Sequence, residues 1–227
     1  MPVSKTDFVR GLQCEKMLWL DAHRPELKII PPQVQQRLDE GNEFGDKAMG
    51  IFGEFFETTT FKADGRLDFA AMLEKTKTWL AEGKSVICEG AFSWYGNFCA
   101  ADILRRDGDG YALYEVKNAP SPRDEFITDL GFQRLIIRKC GVKITACHLV
   151  LQGDNGEAYK TVDVTAAARN AERVASARIF ELGKIKKKDA AQPDIGVGQH
   201  CETPYRCWYY EYCHGCGKEN ITDFDKI

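Results

Sequence analysis

The stretch Ala100-Ala101-Asp102-Ile103-Leu104-Arg105-Arg106-Asp107-Gly108-Asp109-Gly110-Tyr111-Ala112-Leu113-Tyr114-Glu115-Val116-Lys117 decides how this chain is read. Two runs of strand character flank Asp107-Gly108-Asp109-Gly110, a tight-turn sequence, so the segment predicts a β-hairpin. In an antiparallel pair the numbers of facing residues add to a constant. Closing the turn on Asp107 and Gly110, or on Arg106 and Tyr111, sets that constant at 217, and Asp102 with Glu115 has the same sum. The two carboxylates are therefore expected to face each other with Cβ atoms roughly 5 Å apart. A slip by two residues would set Asp102 against Leu113 or Lys117 without changing its face.

The turn before it, Trp94-Tyr95-Gly96-Asn97, joins a strand over 86–92 to one over 98–106, with a constant of 191 that Glu89 and Asp102 share. Glu89, Asp102 and Glu115 then form one row across three strands, and Lys117 points to the same face. Three adjacent carboxylates on a half-buried sheet are costly unless a cation compensates them. Oxygen-only donors suit Mg²⁺ or Mn²⁺ better than zinc. The plainer alternative is a solvated sheet face on which Lys117 neutralises Glu115. Against it, Phe126, Leu130, Gln133 and Ile137 mark a helix that follows Pro120 and Pro122 and ends at Gly141. That helix should cover the face and set Gln133 over it, although an amide bonded to backbone would satisfy Gln133 as well.

With 227 residues, 44% apolar and 11% aromatic, the chain can bury a real core, and a single globular domain is the expectation. Lys and Arg number 31 against 34 Asp and Glu, a net charge of −3, which does not support a broad cationic surface wrapping nucleic acid. Any basic footprint must be local: Arg105 and Arg106 at the hairpin end, or Lys184, Lys186, Lys187 and Lys188 with Trp208, Tyr209, Tyr210 and Tyr212 after them. Basic residues beside aromatics can hold a single strand, while a solvated linker followed by packed aromatics is the structural alternative. Lys5, Asp7, Arg10, Glu15 and Lys16 interrupt any signal-peptide core, and no apolar run reaches the ~18 residues of a spanning helix. A cytoplasmic protein with no membrane partner is expected.

Around the hairpins the pattern is helical. Ser4 and Asp7 open a helix carrying Phe8, Leu12 and Trp19, with Cys14 on or beside it. After Pro31-Pro32, the positions Val34, Leu38, Gly41, Gly45, Ala48 and Phe52 draw one face of a long helix, and two glycines on its buried side imply a close approach. A third helix runs over about 68–82 to Gly83, a fourth strand over 143–151, and an alanine-rich helix over 163–182 to Gly183. The order predicts an α/β domain with a mixed sheet: a helical part over 1–83, a sheet core over 84–162, and a helix with a cysteine-rich tail over 163–227. None of His23, His148, His200 or His214 lies in a nucleophile motif.

Nine cysteines, an odd count, fit a secreted disulfide framework poorly. Cys88, Cys99, Cys140 and Cys147 lie in apolar segments and read as small buried hydrophobes. Cys201, Cys207, Cys213 and Cys216 crowd into one aromatic, turn-rich stretch, and Cys14 stands alone near the start. The crowding asks for a metal. A local zinc site of those four, with His200 or His214 as stand-ins, is one solution; a site recruiting Cys14 is another.

The strand 100–104, the strand Tyr114-Glu115-Val116-Lys117 and the helix bearing Gln133 resemble the PD-(D/E)XK nuclease superfamily, specifically its RecB-like branch. Asp102 and Glu115 match the acidic pair that holds the metal, Lys117 the motif lysine, and Gln133 the glutamine of the following motif. One cysteine before the core and three after it is similar to the iron-sulfur nucleases, including CRISPR-associated RecB-like exonucleases and AddB-type repair nucleases. The segment 4–20 and Cys201-Glu-Thr-Pro-Tyr-Arg-Cys207 are the most particular part of the likeness. The resemblance implies a restriction-endonuclease-like mixed sheet flanked by helices, with a structural [4Fe-4S] cluster on Cys14, Cys201, Cys207 and Cys213 joining the N-terminal helix to the tail, and Cys216 spare. It also implies Mg²⁺ or Mn²⁺ on Asp102 and Glu115, hydrolysis of DNA at single-stranded ends as an exonuclease, and other CRISPR or repair proteins as partners. The chain departs from the pattern at Gly41-Asn-Glu-Phe-Gly45, where glycine stands in place of a metal-binding histidine. Glu43 lies opposite the apolar stripe, so Glu89 is the expected third carboxylate. Ile137 stands where relatives often carry a tyrosine. Two other readings remain open: a non-catalytic DNA-binding or assembly module on a nuclease fold, and a zinc-stabilised interaction domain.

Overall fold

Residues 1–215 are described in the computed structural model of the chain. Both hairpins form where the turn chemistry puts them. Tyr95 and Gly96 take φ of +49° and +80°, the left-handed pair a two-residue turn needs, and Gly108 takes +57° in the second turn. Around them run β1 (Phe56–Glu57), β2 (Val86–Trp94), β3 (Asn97–Asp107), β4 (Gly110–Val116), β5 (Ile144–Gln152) and β6 (Tyr159–Asp163), side by side in that order. β2, β3 and β4 form the antiparallel meander; β1 joins β2 and β5 joins β4 in parallel, and β6 closes the far edge antiparallel to β5. The pairs Arg106↔Tyr111 and Ile103↔Tyr114 keep the register of the second turn, and Val86↔Arg105 and Cys88↔Ile103 keep that of the first.

Among the described residues seven α-helices accompany the sheet: α1 (Lys5–Gln13), α2 (Glu15–His23), α3 (Pro32–Ala48), α4 (Phe69–Ala81), α5 (Asp124–Lys139), α6 (Thr165–Ile185) and α7 (Tyr210–His214). Every residue of β4 is buried, because both faces of the sheet are covered. On one face Ile87, Leu104, Leu113 and Leu149 pack with Phe8 of α1, with Leu130, Phe132 and Ile136 of α5, and with Ala175 and Ile179 of α6. On the other, Val86, Ile103, Tyr114, Val116 and Val150 meet Ala48 and Met49, with Phe44 and Phe52 alongside. α5 and α6 cross closely: a Cβ added at Gly131 would lie 2.6 Å from the Ala171 carbonyl carbon. Among the described residues no helix is long and apolar enough to cross a membrane.

Several expectations are corrected here. The single N-terminal helix is two, because Cys14 is extended (φ −161°, ψ 115°) and ends α1 as it begins α2. The α3 stripe is not a buried face: Leu38 is 43% exposed and nothing lies within 4 Å of a Cβ placed at Gly41 or Gly45. Only the end of α3 reaches the sheet, where Ala48 is buried, so the small residues have no surface to approach. Cys140, at the end of α5, is exposed, unlike Cys88, Cys99 and Cys147. Two strands escaped the pattern. β1 is two residues long, too short for alternation, and β6 reads Tyr-Lys-Thr-Val-Asp, the mixed composition of an edge strand.

Candidate active site

The carboxylate row sits where the β2–β3–β4 ladder is interrupted. Cys88↔Ile103 and Gly90↔Ala101 pair, but Glu89 and Asp102 between them do not, and Glu89 adopts a left-handed φ of +53°. A non-glycine residue there costs on the order of 1 kcal/mol. The interruption changes which residues face inward. Ile87 and Leu104 point into the core shared with α5, and so do Phe92, Cys99 and Ala101, whose parity is opposite. β3 and β4 also part at this level: their last pair is Ile103↔Tyr114, and beyond it Asp102 Oδ2 accepts the Val116 N–H at 2.7 Å. A side chain thus replaces a backbone acceptor, which fixes the Asp102 carboxylate against β4.

Four of the residues named from the sequence meet here. Glu115 is fully buried; its Oε2 accepts Gln133 Nε2 at 2.5 Å, and Lys117 Nζ lies 2.7 Å from its Oε1. Two further residues complete the cluster, and neither was singled out by sequence reasoning. Asp129 stands one turn before Gln133 on α5 and takes Lys117 Nζ on Oδ2 at 2.9 Å. Lys5, the first residue of α1, brings its ammonium to 3.1 Å from Glu115 Oε1 and 3.8 Å from both Asp102 Oδ1 and Asp129 Oδ2. Asp129 had a signal, since it flanks Leu130 on the stripe that carries Gln133. Lys5 had none: 110 positions separate it from Glu115.

Crowding sets the ionisation of these groups. Burial first, then the Asp102 charge, push the Glu89 carboxyl up to about 8, with Lys5 pulling the other way. Burial and Glu115 raise Asp102 to about 6 against Lys5, Lys117 and the Val116 N–H. Glu115 is the carboxylate held ionised: burial opposes it, but Lys117, Lys5 and the Gln133 amide together bring it well below the ordinary range. Lys117 and Lys5 are raised despite burial, by Asp129 first and then Glu115. Two buried acceptors, Asp129 Oδ1 and Gln133 Oε1, have no partner.

The donor set is hard oxygen, and Asp102 and Glu115 already converge on one cation, the Lys5 ammonium. That chemistry fits Mg²⁺ or Mn²⁺. Among the described residues no three His, Cys, Asp or Glu side chains come close enough together to hold a metal ion as they stand. Glu89 approaches electrostatically but makes no ion pair within 4 Å of Lys5. Glu43 turns to solvent and pairs with Lys47 at 2.6 Å, and Ile137 is fully buried core.

At the other end of α1, Cys14 faces the tail. Cys14, Cys207 and Cys213 pack around Met17, Leu20 and Tyr209, and Cys201 is buried just before them. No disulfide links the described cysteines. The Tyr209 N–H points to Cys207 Sγ at 3.4 Å. Burial pushes the Cys207 thiol up to about 11, that N–H opposes it, and Cys14, Cys213 and Cys201 add to the rise. The four thiols are thus electrostatic neighbours, gathered but not drawn to metal-binding distances. Cys216 lies outside the described residues.

Four of the basic and aromatic candidates have partners within the fold. Arg105 belongs to the opposite sheet face, its guanidinium 4.7 Å from the Phe52 ring centroid. Lys186 binds Asp7 and the Pro2 carbonyl. Trp208 lies 3.8 Å from the Arg10 guanidinium and Tyr209 is fully buried with its hydroxyl donating to Asp21, so both fasten the tail to α1 and α2. No protein-family model matches the chain, and no curated protein is detectably similar to it in sequence.

Proposed function

We propose that this protein is a Mg²⁺- or Mn²⁺-dependent deoxyribonuclease of the RecB-like PD-(D/E)XK type, acting on single-stranded ends. The observation that carries the reading is the convergence of Asp102, Glu115, Lys117 and Gln133 at an interruption in the sheet, buried enough to make the acidic pair demand a cation. A divalent ion held by Asp102 and Glu115, with Glu89 as the third carboxylate, would polarise a phosphate and supply a nucleophilic water near neutral pH. The chain's own residues do the rest. Asp102 is oriented by the Val116 N–H and Glu115 by the Gln133 amide. Lys117, held between Glu115 and Asp129, offers an ammonium that stabilises charge developing on the phosphate or orients the attacking water.

The same reading gives Cys14, Cys201, Cys207 and Cys213 to a structural [4Fe-4S] cluster that ties α1 to the tail. Its support is the gathering of four cysteines outside any disulfide, with an N–H already directed at one sulfur. Mn²⁺-dependent degradation of labelled single-stranded DNA, lost in Asp102→Ala and in Lys117→Ala, tests the nuclease. Equal activity in those variants, or none in the wild type with Mg²⁺ or Mn²⁺, rejects it in favour of a non-catalytic DNA-binding module.

A further inference from the structure

Lys5 stands on the point where the two acidic residues meet, and the ion-pair network around it is lopsided. Glu115 is already satisfied by Lys117 and Gln133. Asp102 has less: Oδ2 accepts the Val116 N–H, and among the described residues Lys5 is the one cation within 4 Å of it. The Lys5 backbone is fixed. Ser4 and Asp7 cap α1 reciprocally, Val3 N–H donates to Asn97 Oδ1 at 2.8 Å, and Lys186 anchors Asp7. Its side chain is not, being a flexible four-carbon stem with 27% of its surface exposed. Beside it Asp129 Oδ1 is buried with no donor, although Oδ2 of the same carboxylate lies 3.8 Å from the Lys5 ammonium.

We propose that Lys5 is a built-in counter-cation: it holds the metal position between Asp102 and Glu115 while that position lacks a metal, and moves its ammonium to Asp129 when a divalent cation arrives. This rests on the metal-dependent reading of the site. An ammonium is a compact point charge without geometric demands, so it can stand between two carboxylates as an ion would. It cannot stay there beside a divalent cation, whose charge it repels. The unfilled acceptor on Asp129 gives it a destination within the reach of a side-chain rotation. The device keeps the carboxylates close before loading, and its cost is metal affinity.

Mn²⁺ titration calorimetry on the full chain with its native cofactors tests this at fixed pH and ionic strength. Lys5→Gln is expected to bind Mn²⁺ at least tenfold more tightly than the wild type, about 1.4 kcal/mol. Asp129→Asn, which takes the negative charge from the destination, is expected to bind at least tenfold more weakly, and Asp102→Asn to lose the site. If Lys5→Gln fails to fold without metal, Asp129→Asn decides alone. An Asp102-dependent wild-type site with unchanged affinity in Lys5→Gln or in Asp129→Asn overturns the role of Lys5 and leaves the metal site standing. No Mn²⁺ binding in the wild type or in Lys5→Gln overturns both.

Discussion

Replacing Glu89 by glutamine is expected to stabilise the metal-free protein, and to do so increasingly as the pH rises. The carboxyl ionises near 4.5 in an unfolded chain and near 8 in the fold, where burial and Asp102 hold its proton. Between those values the unfolded state loses a proton that the folded state keeps, so the wild type loses stability steadily as the pH rises from 4.5 and levels off above about 8. Converted at about 1.4 kcal/mol per pH unit, the gap sets a ceiling of roughly 5 kcal/mol. Glu89 is partly exposed and titrates together with Asp102, which brings the expected effect to roughly 2 kcal/mol at pH 9. Urea denaturation of wild type and Glu89→Gln, stripped of divalent ions and compared at pH 5, 7 and 9, measures it. The variant should gain little at pH 5 and most at pH 9. Saturating Mn²⁺ should reverse the order, because the wild type alone then has three carboxylates to offer. An advantage that does not change between pH 5 and pH 9 would refute the account of the crowded row.

Two other outcomes concern the rest of the molecule. Glu172 of α6 pairs with the buried Arg134 of α5 and with Arg138 at 2.6 Å, so Glu172→Ala should cost about 3–5 kcal/mol in urea by stranding a buried guanidinium; a loss under about 1 kcal/mol would count against that pairing. Protein purified without oxygen is expected to be brown, absorb near ~400 nm and contain iron and sulfide, with the iron lost and the melting temperature lowered in Cys14→Ser; a colourless, fully zinc-loaded sample would instead support the local zinc site.

The hairpins were legible because turn residues and period-two alternation are local signals. Asp107-Gly108-Asp109-Gly110 set the register of β3 on β4, and the register placed Asp102 and Glu115 at one level of the sheet. The α5 face could be read for the same reason, and with it Gln133. What alternation does not encode is its own interruption: the left-handed turn of Glu89 and the exchange of a ladder bond for the Asp102–Val116 contact change the inward face in mid-strand. The α3 stripe shows the opposite failure, a helical period with no surface to bury it, because amphipathicity states what a helix could cover and not whether anything is there.

The sequence by itself therefore determined the mixed sheet, the acidic pair, Lys117 and the amide above them, since each follows from short-range spacing. Only the tertiary structure decided that Lys5 shares their site, that Asp129 carries a vacant buried acceptor, and that Cys14 faces a tail nearly two hundred residues away in the chain. Those placements depend on where α1 docks against α5 and α6, and docking is set by the packing of whole faces, which no local pattern records.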